Sequence, residues 1–288
     1  MNKKIEASEL VLNADGSVYH LHLKPEHIAH DIIIVGDQDR VKEVSKHFDS
    51  IEFQTNKREF VTHTGYIGKK RLTVLSTGIG TDNIDIVFNE LDALVNIDLE
   101  TRLAKKELTS LNFIRVGTSG SLQKDVPIDS ILLSTHGLGL DGLMNFYEHT
   151  NNAEESAMLD EIKANVTLPI LPCLTEGSQK LLDLFKGDDV HHGVTLTSTG
   201  FYGPQGRKLR LNPQIRHFID ELSALKLGKR RITNLEMETS AIYGLGKLLG
   251  HHCLSVNAIL ANRQLMTFSK DSKGIVEKAI QLTLEKIV

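Results

Sequence analysis

The sequence contains few cysteines and no long apolar run. Cys173 and Cys253 are the only cysteines among 288 residues, and two isolated thiols in apolar surroundings indicate a reducing compartment instead of a disulfide scaffold. No apolar run approaches the roughly 20 residues that cross a bilayer. The first twenty residues also lack the apolar segment and the cleavage site of a secretory signal. We therefore predict a cytoplasmic protein with no membrane partner.

Positive charge is not in excess either. Lys and Arg number 33 against 37 Asp and Glu, a formal net charge of −4, which gives no general attraction to nucleic acid. Nucleic acid is therefore not an expected partner, and any anion site must be local. The 13 histidines show no HExxH spacing, and the neighbours His191 and His192, like His251 and His252, would point apart. We expect no metal site.

A complete dinucleotide-binding motif is missing as well. The turn at 77–83, TGIGTDN, contains Gly78 and Gly80 but not the third glycine of G-x-G-x-x-G. This disfavours a pyridine-nucleotide oxidoreductase. The composition that remains, 40% apolar and 24% charged residues, is ordinary for a soluble globular enzyme.

Buried-strand patterns that alternate with helical patterns predict a single α/β domain. The strand candidates lie at 17–23, 31–35, 51–76, 111–116, 126–135, 191–199 and 253–260. We assign 1–16 to an N-terminal extension and 17–288 to the domain. Within the domain, 137–160 turns polar and acidic, which predicts an insertion where a loop passes into an exposed helix. The insertion is either a lid or an ordinary surface segment.

Two places along the chain could bind an anion. The stretch 111–122, LNFIRVGTSGSL, reads as a buried strand ending in a polar loop, and Arg115 near that end can aim at a ligand with Thr118 beside it. Arg115 could equally be a core-strand arginine that extends to the surface. The second place is the strand-to-helix turn with Gly36 and Arg40, although many such turns contain one glycine.

Two further segments contain residues suited to a nucleoside. In 200–211, GFYGPQGRKLRL, Gln205 and Arg207 match the acceptor, donor, acceptor edge of a planar imide, and Phe201 could stack on its ring. The alternative is a solvated loop anchored by its aromatics. Glu236 and Glu238 begin a helix in NLEMET, where they either match the helix dipole or accept the paired hydroxyls of a sugar.

Taken in order, the motifs VYHLHL, GDQDRV, REF, STGIG, RVGTSG, FYGPQGR, NLEMET and NR resemble the nucleoside phosphorylases of the hexameric type, and most closely the members that act on uridine. The resemblance implies a twisted mixed β-sheet, partly closed into a barrel and flanked by helices. It also implies reversible phosphorolysis of uridine to uracil and ribose 1-phosphate in pyrimidine salvage. Phosphate is then a co-substrate, and neither a metal nor an organic cofactor is required.

The resemblance assigns roles to individual residues. Phosphate would be bound by the Gly36 backbone, Arg40, Arg115 and Thr118, with Arg58 from a neighbouring subunit. The ribose would contact Glu236, Met237 and Glu238, and its 5′ end would meet His20 of the neighbour. The base would be read by Phe201, Gln205 and Arg207, with Arg263 in a loop closing over it. Catalysis would fall to Arg115, Glu238 and Arg263.

The resemblance also implies a homo-oligomer whose active sites are shared between subunits, and leaves hexamer or dimer open. A monovalent cation between subunits also stays open, because Glu59 is retained while Asn83 replaces a serine that helps some relatives bind it.

Three other functions compete with this one. Purine phosphorylases of the family place an aspartate after a serine in the late loop, where this chain has Asn262 and Arg263. A nucleosidase, which uses water, would have no purpose for three arginines around one anion site. A non-catalytic nucleoside-binding protein is the third, and phosphate-dependent release of uracil would separate it from an enzyme.

Overall fold

The computed structural model describes residues 4–187 and 189–288. The strands are β1 (Asp31–Val35), β2 (Ser50–Lys57), β3 (Phe60–Ile67), β4 (Lys70–Ser76), β5 (Ile97–Asp98), β6 (Leu103–Ala104), β7 (Asn112–Ser121), β8 (Ile131–Leu140), β9 (Cys173–Glu176), β10 (Val190–Ser198), β11 (Ile232–Glu236), β12 (His252–Asn262) and β13 (Thr267–Phe268). The helices are α1 (Gln38–Ser45), α2 (Thr81–Asn96), α3 (Ala153–Asn165), α4 (Gln179–Leu184), α5 (Phe218–Ala224), α6 (Thr239–Leu249) and α7 (Ser272–Ile287). Short 3₁₀ turns occur at Pro25–His27, Leu143–Phe146 and Gly203–Gln205.

Five strands close into a barrel. β12 pairs with both β7 and β8, β10 joins β8 to β11, and β11 returns to β7. From β7 the sheet continues outward as an arm of β1, β4, β3 and β2. Parallel and antiparallel pairs both occur, so the predicted mixed sheet that partly closes into a barrel is confirmed.

Helices cover both faces of β1, which explains its uninterrupted apolar run. Ile32 to Val35 are at most 1% exposed, as expected of a strand buried on both faces. Ile33 packs in one apolar cluster with α1 and α7, whereas Ile32 and Ile34 pack in another with α2 and α6. In the part of the chain that the structure describes, no helix combines the length and apolar character needed to cross a membrane.

The glycines after residue 136 belong to a strand and not to a loop. The predicted strand 126–135 is in fact β8, which continues to Leu140, because Gly137 and Gly139 allow close packing. A Cβ at Gly137 would lie 2.8 Å from the Ser240 Cα, and one at Gly139 would lie 2.5 Å from Cys173 Sγ. Both glycines therefore let neighbouring elements approach the strand.

The remainder of 137–160 contains a 3₁₀ turn and most of α3. The helix is not simply exposed, since it buries Met158, Leu159 and Ile162 against β8 and β10. An Asn152–Glu155 capping box starts it, with each side chain accepting a hydrogen bond from the other's backbone N–H. Whether 137–160 is an insertion relative to other proteins stays a prediction.

Two other secondary-structure predictions were wrong. Residues 17–23 form a turn instead of a strand, because Val18 exchanges backbone hydrogen bonds with His22 and Leu23 and His22 has a φ of 55°. The polar residues after Val116 were expected to be a loop, but β7 runs through them to Ser121. They stay in strand conformation because β11 and β12 pair with them.

Candidate active site

A cleft of about 860 Å³ opens where β1, β4 and β7 end, beside the start of α6. This is the edge of the sheet where parallel strands leave loops and backbone N–H groups unpaired. The cleft brings together most of the predicted site residues, namely Gly36, Arg40, Arg115, Thr118, Phe201, Gln205, Arg207, Glu236, Met237 and Glu238. His20, Arg58 and Arg263 lie outside its lining.

Arg40 is an arginine without a counter-ion among residues 4–187 and 189–288. It lies on the first turn of α1, where Nη1 donates to the Val116 carbonyl at 3.4 Å. Among the residues that the structure describes, no carboxylate comes within salt-bridge distance of it. Burial, and then the charge of Arg115, lower the pKa of Arg40. Two neighbouring guanidinium groups and one missing counter-ion make this end of the cleft suited to an anion.

The backbone beside Arg40 can also approach a ligand closely. A Cβ at Gly36 would lie 3.4 Å from the Gly78 carbonyl oxygen, so the turns that follow β1 and β4 pack closely against each other. Gly78 has a φ of +72°, a conformation that other residues rarely adopt. Both glycines line the cleft. Their missing side chains leave the backbone open to a ligand.

Arg115 lies at the floor of the cleft and is fixed by carboxylates. Its Nη2 lies 2.6 Å from Glu238 Oε2 and 3.1 Å from Glu236 Oε2. The guanidinium occupies space that only Gly117 leaves free, since a Cβ there would overlap it. Burial disfavours the cation, but the two carboxylates outweigh burial and raise the pKa of Arg115. Arg115 is therefore a permanent cation held in one orientation.

The two carboxylates have different partners. Glu236 accepts from the backbone N–H groups of Glu238 at 2.9 Å and Thr239 at 3.0 Å, and from the Thr197 hydroxyl at 2.7 Å. Glu236 therefore does accept hydrogen bonds from the free backbone N–H groups at the N-terminus of α6. Glu238 accepts from the Gly80 N–H at 2.9 Å with its other oxygen. Burial raises the pKa of Glu238, and Arg115 opposes this effect.

The loop after β10 forms the other end of the cleft. Arg207 donates to the Phe201 carbonyl at 2.7 Å and to Gln205 Oε1, and its guanidinium carbon lies 3.8 Å from the centre of the Phe201 ring. The Gln205 side chain is buried and its Nε2 lies 3.5 Å from the Glu236 carbonyl. Burial and the nearby charge of Arg263 lower the pKa of Arg207 to about 10.

Arg263 braces this end from outside the lining. Its Nη1 donates to the Gln205 carbonyl at 3.0 Å. In the described part of the chain, neither Arg207 nor Arg263 has a carboxylate within salt-bridge distance. The two guanidinium groups, which have no counter-ion among the described residues, and the buried Gln205 amide can bind the oxygens of a neutral planar ring. They can also stabilise negative charge that develops on that ring.

His20 and Arg58 lie together on one surface of the chain. Tyr19 joins them, because the Arg58 guanidinium carbon lies 5.8 Å from its ring centre and the His20 ring packs edge-on against it at 4.9 Å. His20 Nδ1 lies 2.6 Å from Glu90 Oε1, and Glu90 also accepts from the backbone N–H of Leu21 at 2.9 Å. Glu90 therefore fixes the orientation of the His20 ring.

Sequence reasoning missed Glu90 and the buried amide Asn257, whose Oδ1 lies 3.3 Å from Arg115 Nη1. Each is a polar residue inside an apolar pattern, the helix IDIVFNELDALVNI and the strand CLSVNAIL. That mismatch was the available signal, because a buried polar group needs a partner. In residues 4–187 and 189–288 no group of three or more His, Cys, Asp or Glu residues is arranged to hold a metal ion.

The sequence and the fold can be compared with those of known proteins. Residues 31–288 match the family model of the phosphorylase superfamily. A uridine phosphorylase of Thermococcus kodakarensis is 29% identical over 99% of this chain and 93% of its own length. A DeoD-type purine nucleoside phosphorylase of Clostridium novyi is 26% identical over 92% of this chain and 97% of its own.

Solved structures show the same relationship. A Trypanosoma brucei nucleoside phosphorylase, described as showing uridine phosphorylase activity, superposes with a TM-score of 0.89 at 28% identity. That superposition covers 96% of this chain and 99% of the other. The match to the family model extends over nearly the whole domain, from β1 to the last residue. The protein is therefore an enzyme of the phosphorylase superfamily.

Proposed function

We propose that the protein is a uridine phosphorylase, which converts uridine and phosphate reversibly to uracil and ribose 1-phosphate in pyrimidine salvage. The observation that carries the proposal is the pairing of Gln205 with Arg207 in the same cleft as the unpaired Arg40. The uridine phosphorylase of Thermococcus kodakarensis and the Trypanosoma brucei enzyme support the same substrate.

Contacts inside the cleft follow the order of the groups in the substrates. Arg40 and Arg115 lie at the proposed phosphate end, and Arg115 contacts Glu236 and Glu238. The backbone carbonyl of Glu236 accepts a hydrogen bond from the Gln205 amide. In the proposed complex, phosphate contacts the two arginines, Gly36 and Thr118. The ribose hydroxyls contact the carboxylates and Met237, and uracil meets the Gln205 amide and the guanidinium beyond it.

The proposed reaction breaks the bond between ribose C1′ and uracil N1 and forms a bond between C1′ and a phosphate oxygen. The bonding electrons leave with uracil, so positive charge develops on the ribose and negative charge on the base. Phosphate and the carboxylates stabilise the first charge, and Arg207 stabilises the second. Because Arg207 has no counter-ion in the part of the chain that the structure describes, its positive charge is free to stabilise the departing base. The proposal requires neither a metal nor an organic cofactor.

We assign His20 and Arg58 to the active site of a neighbouring subunit in a homo-oligomer. Both project from the surface around Tyr19, outside the cleft of their own chain. Mixing Arg58→Ala with Glu238→Gln protein after mild dissociation tests this assignment. If sites are shared, mixed oligomers contain some sites with both wild-type residues, and activity reappears. If each chain forms its own site, mixing restores nothing.

A purine substrate is less compatible with the late loop. Asn262 is 1% exposed, and its Oδ1 accepts from the N–H groups of Gln264 at 3.0 Å and Leu265 at 2.9 Å. Its Nδ2 donates to the carbonyls of Gln123 and Val126. The next position, where the purine enzymes have their aspartate, is Arg263, whose Nη1 donates to the Gln205 carbonyl at 3.0 Å. No carboxylic acid stands there to protonate a purine ring. This argues against the activity named for the Clostridium novyi relative.

The ultraviolet change that accompanies conversion of uridine to uracil tests the proposal directly. We expect uracil release only when phosphate is present, with inosine unchanged in a parallel assay. Cleavage without phosphate would contradict the role of Arg40 and Arg115 and indicate a nucleosidase. Cleavage of inosine in preference to uridine would indicate a purine phosphorylase, and binding without cleavage would indicate a non-catalytic protein.

A further inference from the structure

The interior of the barrel is polar, and its side chains form a hydrogen-bond chain that passes once around the five strands. Arg115 on β7 donates to Asn257 Oδ1 on β12 at 3.3 Å, and Asn257 Nδ2 donates to the Ser134 hydroxyl on β8 at 2.9 Å. Asn257 and Ser134 have no exposed surface. The proposed reaction gives these residues no role.

The chain continues through the other two strands and returns to β7. The Ser134 hydroxyl lies 2.5 Å from Thr195 Oγ1 on β10, and Thr195 donates to Asn234 Oδ1 on β11 at 2.8 Å. Asn234 Nδ2 then donates to the Ser119 hydroxyl at 3.0 Å. Ser119 lines the cleft four residues after Arg115. The chain therefore begins and ends in the active site.

Arg115 determines the orientation of Asn257, and the hydroxyls of Thr195 and Thr233 determine that of Asn234. A guanidinium can only donate, so Asn257 must present its oxygen to Arg115 and its amide hydrogens to Ser134. Thr195 must donate to the Asn234 oxygen, which leaves Ser134 to donate to Thr195. Asn234 then presents its amide hydrogens to Ser119. Ser119 therefore accepts from Asn234 and keeps its own O–H hydrogen as a donor.

We infer that Asn257 is a positioning residue for phosphate binding, because it holds the Nη1 edge of Arg115 while the two carboxylates hold the Nη2 edge. Ser255 Oγ is the other side chain near Nη1, at 3.4 Å. Without Asn257 the guanidinium would rotate about its contacts to Glu236 and Glu238. This inference rests on the proposed binding of phosphate by Arg115.

Titration with inorganic phosphate in a calorimeter, together with steady-state kinetics, tests the inference on the full-length chain. In Asn257→Leu we expect phosphate affinity to fall about tenfold or more, the value of a lost hydrogen bond to a charged group. The phosphate KM should rise by the same factor, whereas the KM for uridine should change less than about twofold. A merely structural defect would not separate the two KM values.

Two further variants keep the test decisive. Asn96→Leu replaces another buried amide, one that bonds to Asp92 and the Thr109 carbonyl at the end of α2, and it should leave phosphate binding unchanged. Ser134→Ala removes the nearest acceptor of the Asn257 amide hydrogens, at 2.9 Å, with little loss of volume, and leaves the carbonyls of Leu132 at 3.2 Å and Ser255 at 3.3 Å. It should weaken phosphate binding about two- to fivefold, and it decides the question alone if Asn257→Leu does not fold.

Each outcome has one meaning. Unchanged phosphate affinity in Asn257→Leu or Ser134→Ala, with binding by the parent protein, overturns the positioning role. An equal loss in Asn96→Leu also overturns it, since the effect would then be one of general stability. Absence of phosphate binding by the parent protein overturns the proposed function instead.

Discussion

The two ends of the cleft hold their arginines in different ways. At the phosphate end, Arg115 extends from a barrel strand and is fixed by two carboxylates and the Asn257 amide. At the proposed base end, Arg207 extends from a loop and, among the described residues, bonds to that loop through Phe201 and Gln205. Phe201 is 50% exposed there, whereas Arg115 is 6% exposed.

This difference shows which part of the site is preorganised. The proposed phosphate end would need no change before it binds an anion, because the described partners of Arg115 come from strands or from the start of a helix. At the base end, a hydrogen bond between Arg207 and Gln205 occupies the groups that would read uracil. In the proposed complex the base would replace that bond, which would make the loop the adaptable part of the site.

The largest effect is expected from Arg115→Ala. It leaves Glu236 and Glu238 as uncompensated buried carboxylates, so the free energy of unfolding should fall by about 3 to 5 kcal/mol. Activity should fall by about 10³-fold or more. Urea denaturation and kcat/KM measure the two effects.

Arg40→Ala is the matched control for this change. Arg40 has no carboxylate partner in the described residues, so its removal should raise the phosphate KM with little loss of stability. Equal denaturation midpoints for the two variants would show that the ion pairs of Arg115 do not stabilise the barrel, and the contrast between the two ends would fail.

At the base end, Arg207→Ala should impair activity without destabilising the protein. We expect kcat/KM for uridine to fall about 10²- to 10³-fold, the usual loss when a donor to developing negative charge is removed. Stability should change by no more than about 1 kcal/mol, because the lost hydrogen bonds are offset by relief of repulsion from Arg263.

Arg210→Ala, an exposed arginine of the same loop, is the control for that variant and should behave like the parent protein. Loss of activity in both variants would indicate that the loop responds to any change of charge. Loss of phosphate affinity in Arg207→Ala would contradict the division of the cleft into two ends.

The sequence was sufficient to predict the strands and residues whose patterns are local. The run DIIIV identified β1, because that signal depends only on neighbouring positions. The small residues after Arg115 were wrongly expected to form a loop, and the anion site that they indicate stays a prediction. Gly137 and Gly139 were misread as a loop, since nothing in the local pattern reveals that Ser240 and Cys173 approach them. Long-range packing of this kind appears only in three dimensions.

The same distinction separates the two kinds of site residue. Gln205 and Arg207 share one segment, so their chemistry could be read together. The hydrogen-bond chain from Arg115 through Asn257 and Ser134 joins positions up to 142 residues apart. Only closure of the barrel brings these positions into contact. A sequence pattern gives the polar residues but not their register.

Acid should act on the barrel by protonating His136 on β8. This side chain is 2% exposed, and its Nε2 has no hydrogen-bond partner among the described residues. Burial lowers its pKa from 6.5 to about 4. Between pH 6.5 and about 4, His136 is protonated in the unfolded chain but not in the folded one. The contribution of His136 to the free energy of unfolding is therefore fully present above pH 6.5 and is lost as the pH falls towards 4.

The full decrease in the free energy of unfolding that is assigned to His136 is about 3 kcal/mol. Denaturant titrations between pH 7 and pH 4 measure it, with His136→Gln as the variant expected to flatten the dependence. His191→Gln, on the neighbouring strand β10, is the control and should keep the full slope. Parallel slopes for the parent and His136→Gln proteins would assign acid sensitivity to other groups.

The smallest effect is expected from Glu90→Gln, which concerns a third region, the surface proposed to serve a neighbouring site. The introduced amide would present an N–H group where Glu90 now accepts hydrogen bonds from His20 and Leu21, so the His20 ring would lose its fixed orientation. With uridine, kcat/KM should fall about tenfold.

5′-Deoxyuridine distinguishes this orientation effect from a loss of stability. That substrate has no 5′-hydroxyl for His20 to contact, so Glu90→Gln and parent proteins should cleave it at similar rates. His20→Ala should show the same pattern, and combining the two changes should add nothing. Equal losses on both substrates would mean that Glu90 only stabilises the fold around α2. In that case Glu90 would not be what orients His20 for its proposed role in the neighbouring subunit's active site.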